Sequence, residues 1–387
     1  MGRISMIQAV SFQSIDKLGR VARKLLGAAL IRRVSLISQN SPSPVTFFSL
    51  SERAMPTHIP REMTFLSDAQ HLQKSTYTFP KIYTAALENI IYCSQYNTIL
   101  LNPFCVLKDS ISTVNIPRHR FDLAVHFRNT EPVSGICTVF RSFEERNFYH
   151  TLIDNLPRLF LLHHPDYQRI PEINLLYADP LKDVERHLLQ SILPPNVKFY
   201  SVDRTRNYRI EKLIFPSFLT QDYAAYLPQE YLTLLDQTVA PQRPSRKNQR
   251  IFISRAVKPH KKTRSRFILN EDAVFELLAP YGFQRYYLEN LSCAEQIELF
   301  YDCEYIVAAH GAGLSNLIFS PHATVLELFP TPYVVPYFYF LCESRSHQYH
   351  YWCGTETHRD SNFLVDLDAI QHILEHDMGI QPQKVHI

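Results

Sequence analysis

The sequence predicts an α/β protein with two parallel-sheet domains, and three observations carry that reading. Short apolar runs at 123–127, 173–177, 197–202 and 210–215 alternate with helical patterns such as 183–192, the rhythm of strands joined by crossover helices. A second stretch repeats it: strand 251–254, helix 271–279, strand 283–288, helix 294–301, strand 305–309, helix 314–319, strand 324–328. Parallel pairing with right-handed crossovers makes this stretch a Rossmann-like domain. Third, its last two strands are joined through His310-Gly-Ala-Gly-Leu-Ser-Asn316, where Gly311 and Gly313, two of nine glycines in 387 residues, flank Ala312. A chain that seldom uses glycine places two of them where backbone freedom or close approach is needed.

The expected divisions are a basic amphipathic segment at 1–38, a first domain at 39–240, a second at 241–355, and a C-terminal segment at 356–387. The Ser-, Pro- and Thr-rich residues 39–60 read as a linker. The helix pattern at 367–376 is expected to pack back on the first domain.

Composition narrows the class. The chain is 45% hydrophobic with a net charge of +3, which fits a globular protein and excludes a broadly acidic or basic one. Its seven cysteines include no CxxC and read as reduced thiols in a cytoplasmic compartment. The longest apolar run, 333–342, is broken by Pro336 and falls well short of the roughly 20 residues of a membrane span. Residues 1–33 carry seven Lys and Arg against Asp16 alone, with Leu18, Val21, Ala22, Leu25 and Ala29 at helical spacing. Residues 15–33 are read two ways, as a helix lying peripherally on an anionic inner membrane face or as a solvated basic helix packed on its own domain.

In an open parallel sheet, ligands sit outside the carboxyl ends of the strands. The turn at Gly311–Ala312–Gly313, followed by Leu314 and Ser315, aims backbone N–H groups and a helix start at an anion, normally phosphate. Ser254 and Arg255 end the strand at 251–254, and Lys258, Lys261, Lys262 and Arg264 follow in a stretch, 241–266, holding ten cations and no acid. Glu327 is placed to accept from ribose hydroxyls. The combination suggests a nucleotide whose diphosphate is gripped by amides and cations, with no metal needed.

On a 100°-per-residue wheel, Asn147, His150, Asp154 and Arg158 share one side of a helix, while Leu152, Ile153, Leu156, Leu159 and Phe160 take the other. A base beside an orienting acid marks a candidate site. Pro157 removes one helical hydrogen bond and can start a new segment there.

Phe252-Ile-Ser-Arg255, Tyr287-Leu-Glu289 with Leu291 and Ser292, Ala294-Glu-Gln296, and His310 to Asn316 with Glu327 resemble the C-terminal half of glycosyltransferase family 61. Asn147-Phe-Tyr-His150 with Asp154, Pro157 and Arg158 resembles that family's N-terminal signature, and the likeness covers about 140–370. The resemblance implies a GT-B fold, two facing Rossmann-like domains, with a nucleotide-sugar donor in the second and a glycan or protein-linked acceptor in the first. It implies inverting transfer without a bound metal or other cofactor, in polysaccharide assembly, with UDP as the expected carrier. Such chemistry assigns the acceptor's proton to His150 or Asp154, and the departing diphosphate to Arg255, the 258–264 cations and the amides of 311–315.

Other classes fit less well. The His310 loop looks like a hydrolase oxyanion loop, but no Gly-x-Ser-x-Gly occurs. A dinucleotide fingerprint wants a third glycine where Asn316 stands. Asp366-Leu-Asp368 matches a metal-binding DxD, yet Asp368 reads more simply as a helix N-cap. His347, His350 and Cys353 lack a fourth ligand for zinc. Nucleic-acid binding has only the basic stretch in its favour. A non-catalytic sugar-nucleotide or glycan-binding protein would share the donor loop and differ at His150 and Asp154.

Overall fold

The computed structural model describes residues 19–35, 47–51, 54–55, 77–78, 80, 82–111, 121–141, 147–178, 180–220, 225–255, 266–330, 334–356 and 361–383. The chain divides into two compact units, one of residues 1–52, 80–185 and 193–222, the other of 53–79, 186–192 and 223–387. The division falls at 222/223, ahead of the expected 240/241, and the segment beyond 355 belongs to the second unit.

The first unit is built on a mixed sheet. Its strands are β1 (Arg32–Val34), β2 (Phe47–Ser51), β3 (Ile82–Cys93), β4 (Thr98–Asn102), β5 (Cys105–Leu107), β6 (Thr130–Val139), β7 (Ile173–Tyr177), β8 (Val197–Ser201) and β9 (Asn207–Pro216). They run in the order β1-β5-β4-β3-β9-β6-β7-β8, with β2 also on β3. Among the described residues, β9, β6, β7 and β8 form a contiguous parallel set as expected of a Rossmann-like sheet, and β1 pairs with β5 in parallel at the far edge. The β3–β4 pair is antiparallel because its connection, 94–97, is too short for a crossover. Asn97 tolerates the left-handed φ of 50° that this turn needs. The run at 123–127, expected as a strand, is a helix, Leu123–His126, started by Asp122, whose carboxylate accepts the Ala124 N–H. Residues 39–60, expected as a linker, contain β2 and the strand Ala54–Met55.

The second unit holds β10 (Gln249–Ile253), β11 (Gln284–Tyr286), β12 (Cys303–Ala309), β13 (Thr324–Pro330), β14 (Gln348–Glu356) and β15 (Phe363–Leu364), ordered β11-β10-β12-β13-β14-β15. The first five are parallel, so the strand sequence reads 2-1-3-4-5, a doubly wound Rossmann-like order. Its switch point lies between β10 and β12, the first and third strands. Every residue of β13 is buried, as expected for a strand covered on both faces.

The C-terminal helix, expected to pack back on the first domain, is instead part of the second unit's core. Leu367–His372, continued by a π turn Ile373–Asp377, places Ile370, Leu374 and Met378 in one core with Phe252, Val274 and Leu278 of the second unit. Its cap is Asp366, accepting from Asp368 and Ala369 N–H, not Asp368. The helix Gln229–Thr238 joins the second unit through Asp236, which accepts from Arg345 at 2.8 Å.

His126 of the first unit and His347 of the second are buried as neutral rings. His126 Nδ1 lies 2.9 Å from the Pro103 carbonyl; His347 Nδ1 accepts the Ala323 N–H at 3.1 Å, leaving Nε2–H to donate to Leu317 O. That use gives His347 a purely structural role. Burial pushes both imidazoles down to about 4, below the unfolded value near 6.5. The stability they contribute is therefore full above pH ~6.5 and lost as pH falls toward 4. At pH ~5 each should cost on the order of 2 kcal/mol. Urea midpoints compared between pH ~7.5 and ~5 should drop accordingly, and flat midpoints would contradict the neutral assignment.

Candidate active site

The richer cluster lies at the switch point of the second unit, where the chain leaves β10 and β12 side by side. Arg255 Nη1 donates to the His310 carbonyl at 2.6 Å. Gly311 makes this approach possible. A Cβ there would stand 2.5 Å from that same Nη1, so any side chain would push the guanidinium off the carbonyl. Burial, with Arg266 acting in the same direction and Glu289 opposing, lowers the Arg255 pKa to about 10; the group stays cationic at neutral pH. Among the described residues no carboxylate pairs with it directly. Beyond Gly311 the chain enters a 3₁₀-helix, Ala312–Phe319, with Leu314 N–H on Gly311 O. The amides of Ala312 and Gly313 precede that ladder, and both residues are only half-buried. The anticipated α-helix start is thus a tighter turn, with its leading amides at the carboxyl ends of the strands.

His310 itself points inward. Its Nδ1 lies 2.5 Å from Glu327 Oε1, and Tyr349 O–H donates to Glu327 Oε2 at 2.6 Å. Glu327 is fully buried in β13, where an unpartnered carboxylate would be costly; these donors are what permit it. Its two oxygens are therefore occupied, and the role expected for it as a ribose acceptor gives way to one as His310's partner. Burial lowers the His310 pKa, against the pull of Glu327, favouring a neutral ring with its hydrogen on Nδ1. Phe329 and Tyr337 stack near it at 5.1 and 6.0 Å.

Other motif residues brace this loop. Asn316 Nδ2 donates to Gly313 O and to Gln296 Oε1, while Gln296 Nε2 donates to Leu288 and Leu291 carbonyls. Ser292 and Glu295 form the capping box of the helix Cys293–Tyr301 that carries Gln296. Ser254 turns its hydroxyl to Glu271, and Leu314 and Ser315 are buried, so these three support the loop from beneath. Glu289 is exposed. Lys261 and Lys262, with Lys258 and Arg264, lie outside the described residues.

The first unit supplies a second, smaller cluster. His150 Nδ1 lies 2.6 Å from Asp154 Oδ2, and Thr220 Oγ1 donates to Asp154 Oδ1 at 2.7 Å. The segment is not the α-helix assumed on the wheel. It is a π-helix, His150–Asn155, followed by Leu156–Arg158 and a 3₁₀ turn. Pro157 cannot donate to the Ile153 carbonyl, and the Thr220 hydroxyl lies 3.4 Å from that oxygen. Such wide turns recur at functional sites. They also rotate later positions, so Arg158 does not share the stripe with His150. It is fully buried, its guanidinium over the rings of Phe215 and Phe218 at 5.0 and 4.6 Å. Asn147 serves as a local cap, accepting Tyr149 N–H. Thr220 and Tyr349 carried no signal in the sequence, since each acts through a carboxylate far along the chain.

Residues 148–326 match the family model Glycosyltransferase 61. Residues 148–326 are thus a glycosyltransferase family 61 region. No curated protein matches the chain. The match implies glycosyltransferase activity, and with it a sugar donor and an acceptor. The matched span runs from the His150 turn through Arg255 and the His310 loop into β13, and Glu327 and Tyr349 lie beyond its end.

Removing the carboxylate in Glu327→Ala would leave the His310 and Tyr349 donors buried without it. We expect a loss of about 3–5 kcal/mol, against about 1.5–3 kcal/mol for Tyr349→Phe, both read from urea denaturation. Equal, near-zero effects would show that the buried carboxylate is not held by these donors.

Proposed function

We propose that this chain moves a sugar from a nucleotide sugar, UDP-linked, to a hydroxyl of a glycan acceptor, by inversion and without a bound metal. The reading adopts the family's GT-B arrangement, with the donor held by the second unit and the acceptor by the first. The observation that supports it most is Arg255 fixed against the His310 carbonyl, beside half-buried amides, at the carboxyl ends of parallel strands. A fixed cation and leading amides at a switch point are what a leaving diphosphate requires. A cytoplasmic setting fits its seven free thiols.

The chemistry follows as a single displacement. The acceptor oxygen attacks the anomeric carbon as its proton passes to the base; the bond from that carbon to the phosphate oxygen breaks, and the diphosphate leaves with the electron pair. With the hydrogen on Nδ1 directed at Asp154, His150 offers Nε2 as the base, and Asp154 steadies the imidazolium that forms. Thr220 fixes Asp154 from its other oxygen. Arg255 and the amides of Ala312 and Gly313 take up the charge growing on the diphosphate.

Replacing both His150 and Asp154, as His150→Ala with Asp154→Asn, should lower turnover by about 10²–10⁴-fold while leaving UDP affinity nearly intact. Transfer assays paired with calorimetric UDP titration check this, and unchanged turnover would refute the assignment.

A further inference from the structure

The helix α1 (Arg20–Leu30) carries apolar residues on two sides, and the fold uses one of them. Toward the first unit, Arg23 Nε pairs with Asp122 Oδ1 at 3.0 Å. Leu26 and Leu30 pack on the cluster of Ile91, Leu100 and Phe121. A Cβ at Gly27 would lie 2.5 Å from the Phe121 carbonyl oxygen, so the helix sits at backbone contact distance. Positions 23, 26, 27 and 30 make one continuous inner face.

The outer face runs through 21, 25 and 29. Val21 is 73% and Leu25 64% exposed, the highest values of any large hydrophobic residue described, the next reaching 47%. Ala29 is exposed beside them. Lys24, half-buried, flanks this face, Arg20 is exposed at the start of the helix and Arg32 is exposed in β1 just after it, and residues 17–35 include no Asp or Glu. A solvated helix anchored on its inner face has no need of two bare aliphatic side chains on the other.

We propose that this outer face of α1 seats on an anionic lipid surface, Val21 and Leu25 entering the headgroup–acyl boundary and Arg20, Lys24 and Arg32 meeting lipid phosphates. The chemistry decides between occupants. A second copy packed face to face about a two-fold axis would set these cations against their own images, whereas an anionic surface complements them. Two aliphatic side chains are too little apolar area for stable insertion, and the cations supply the second contribution that reversible membrane attachment requires. The proposal is independent of the sugar-transfer reading.

Co-sedimentation of the full chain with phosphatidylcholine vesicles, and with vesicles of phosphatidylcholine mixed with phosphatidylglycerol, tests it. Binding should be confined to the anionic vesicles and weaken with added salt. Arg20→Gln with Lys24→Gln should reduce partitioning roughly 30-fold, at about fivefold per cation. Val21→Ser with Leu25→Ser should also reduce it, with both variants keeping the wild-type thermal transition. Equal binding to neutral and anionic vesicles, or indifference to both pairs of substitutions, would overturn the proposal. So would a concentration-dependent dimer that the same substitutions abolish, which would assign the face to a second copy.

Discussion

The contact on which the second unit's site depends is the hydrogen bond from Arg255 to the His310 carbonyl. It exists because the strand order sets β10 beside β12, so the two chain exits meet at the point where crossovers diverge and a crevice is left. Gly311 supplies the clearance and keeps the guanidinium there. A cation partly withdrawn from water interacts more strongly with an anion than a fully hydrated one, and this one is held before any ligand arrives. Preorganisation of that kind reduces the ordering that binding would otherwise require.

Beneath the loop, the structure commits a buried carboxylate to keeping His310 in place. Glu327 interrupts an otherwise apolar strand, and its cost is offset by His310 on one oxygen and Tyr349 on the other. Asn316 and Gln296 then tie the loop to the turn after β11. The first unit uses the same logic on a smaller scale. Pro157 denies the helix one hydrogen bond, the turn widens, and Thr220 fills in at Asp154, which in turn orients His150.

The second unit was largely legible from sequence because its central strands are buried on both faces and read as apolar runs, unbroken in Ile306–Ala309 and interrupted only by Glu327 in Val325–Leu328. Glycine scarcity drew attention to Gly311 and Gly313 for a sound reason, since one of them admits the Arg255 contact. The first unit was less legible. Its antiparallel strands and short turns carry no crossover rhythm, and the run 123–127 is apolar enough to pass for a strand until Asp122 is seen to cap it. Arg158 was misplaced because a 100° wheel does not hold through a π turn. Glu327 was assigned to a ligand because its partners, His310 and Tyr349, are joined to it by sheet register rather than by proximity in the chain.

Calorimetric titration of UDP into the wild-type chain and into Gly311→Ala tests the central claim most directly. If Arg255 held against the His310 carbonyl forms the diphosphate site, wild type binds and the variant binds at least about tenfold more weakly, a difference of about 1.4 kcal/mol, with its fold intact. Equal affinities in the two, or no binding by wild type, would contradict it.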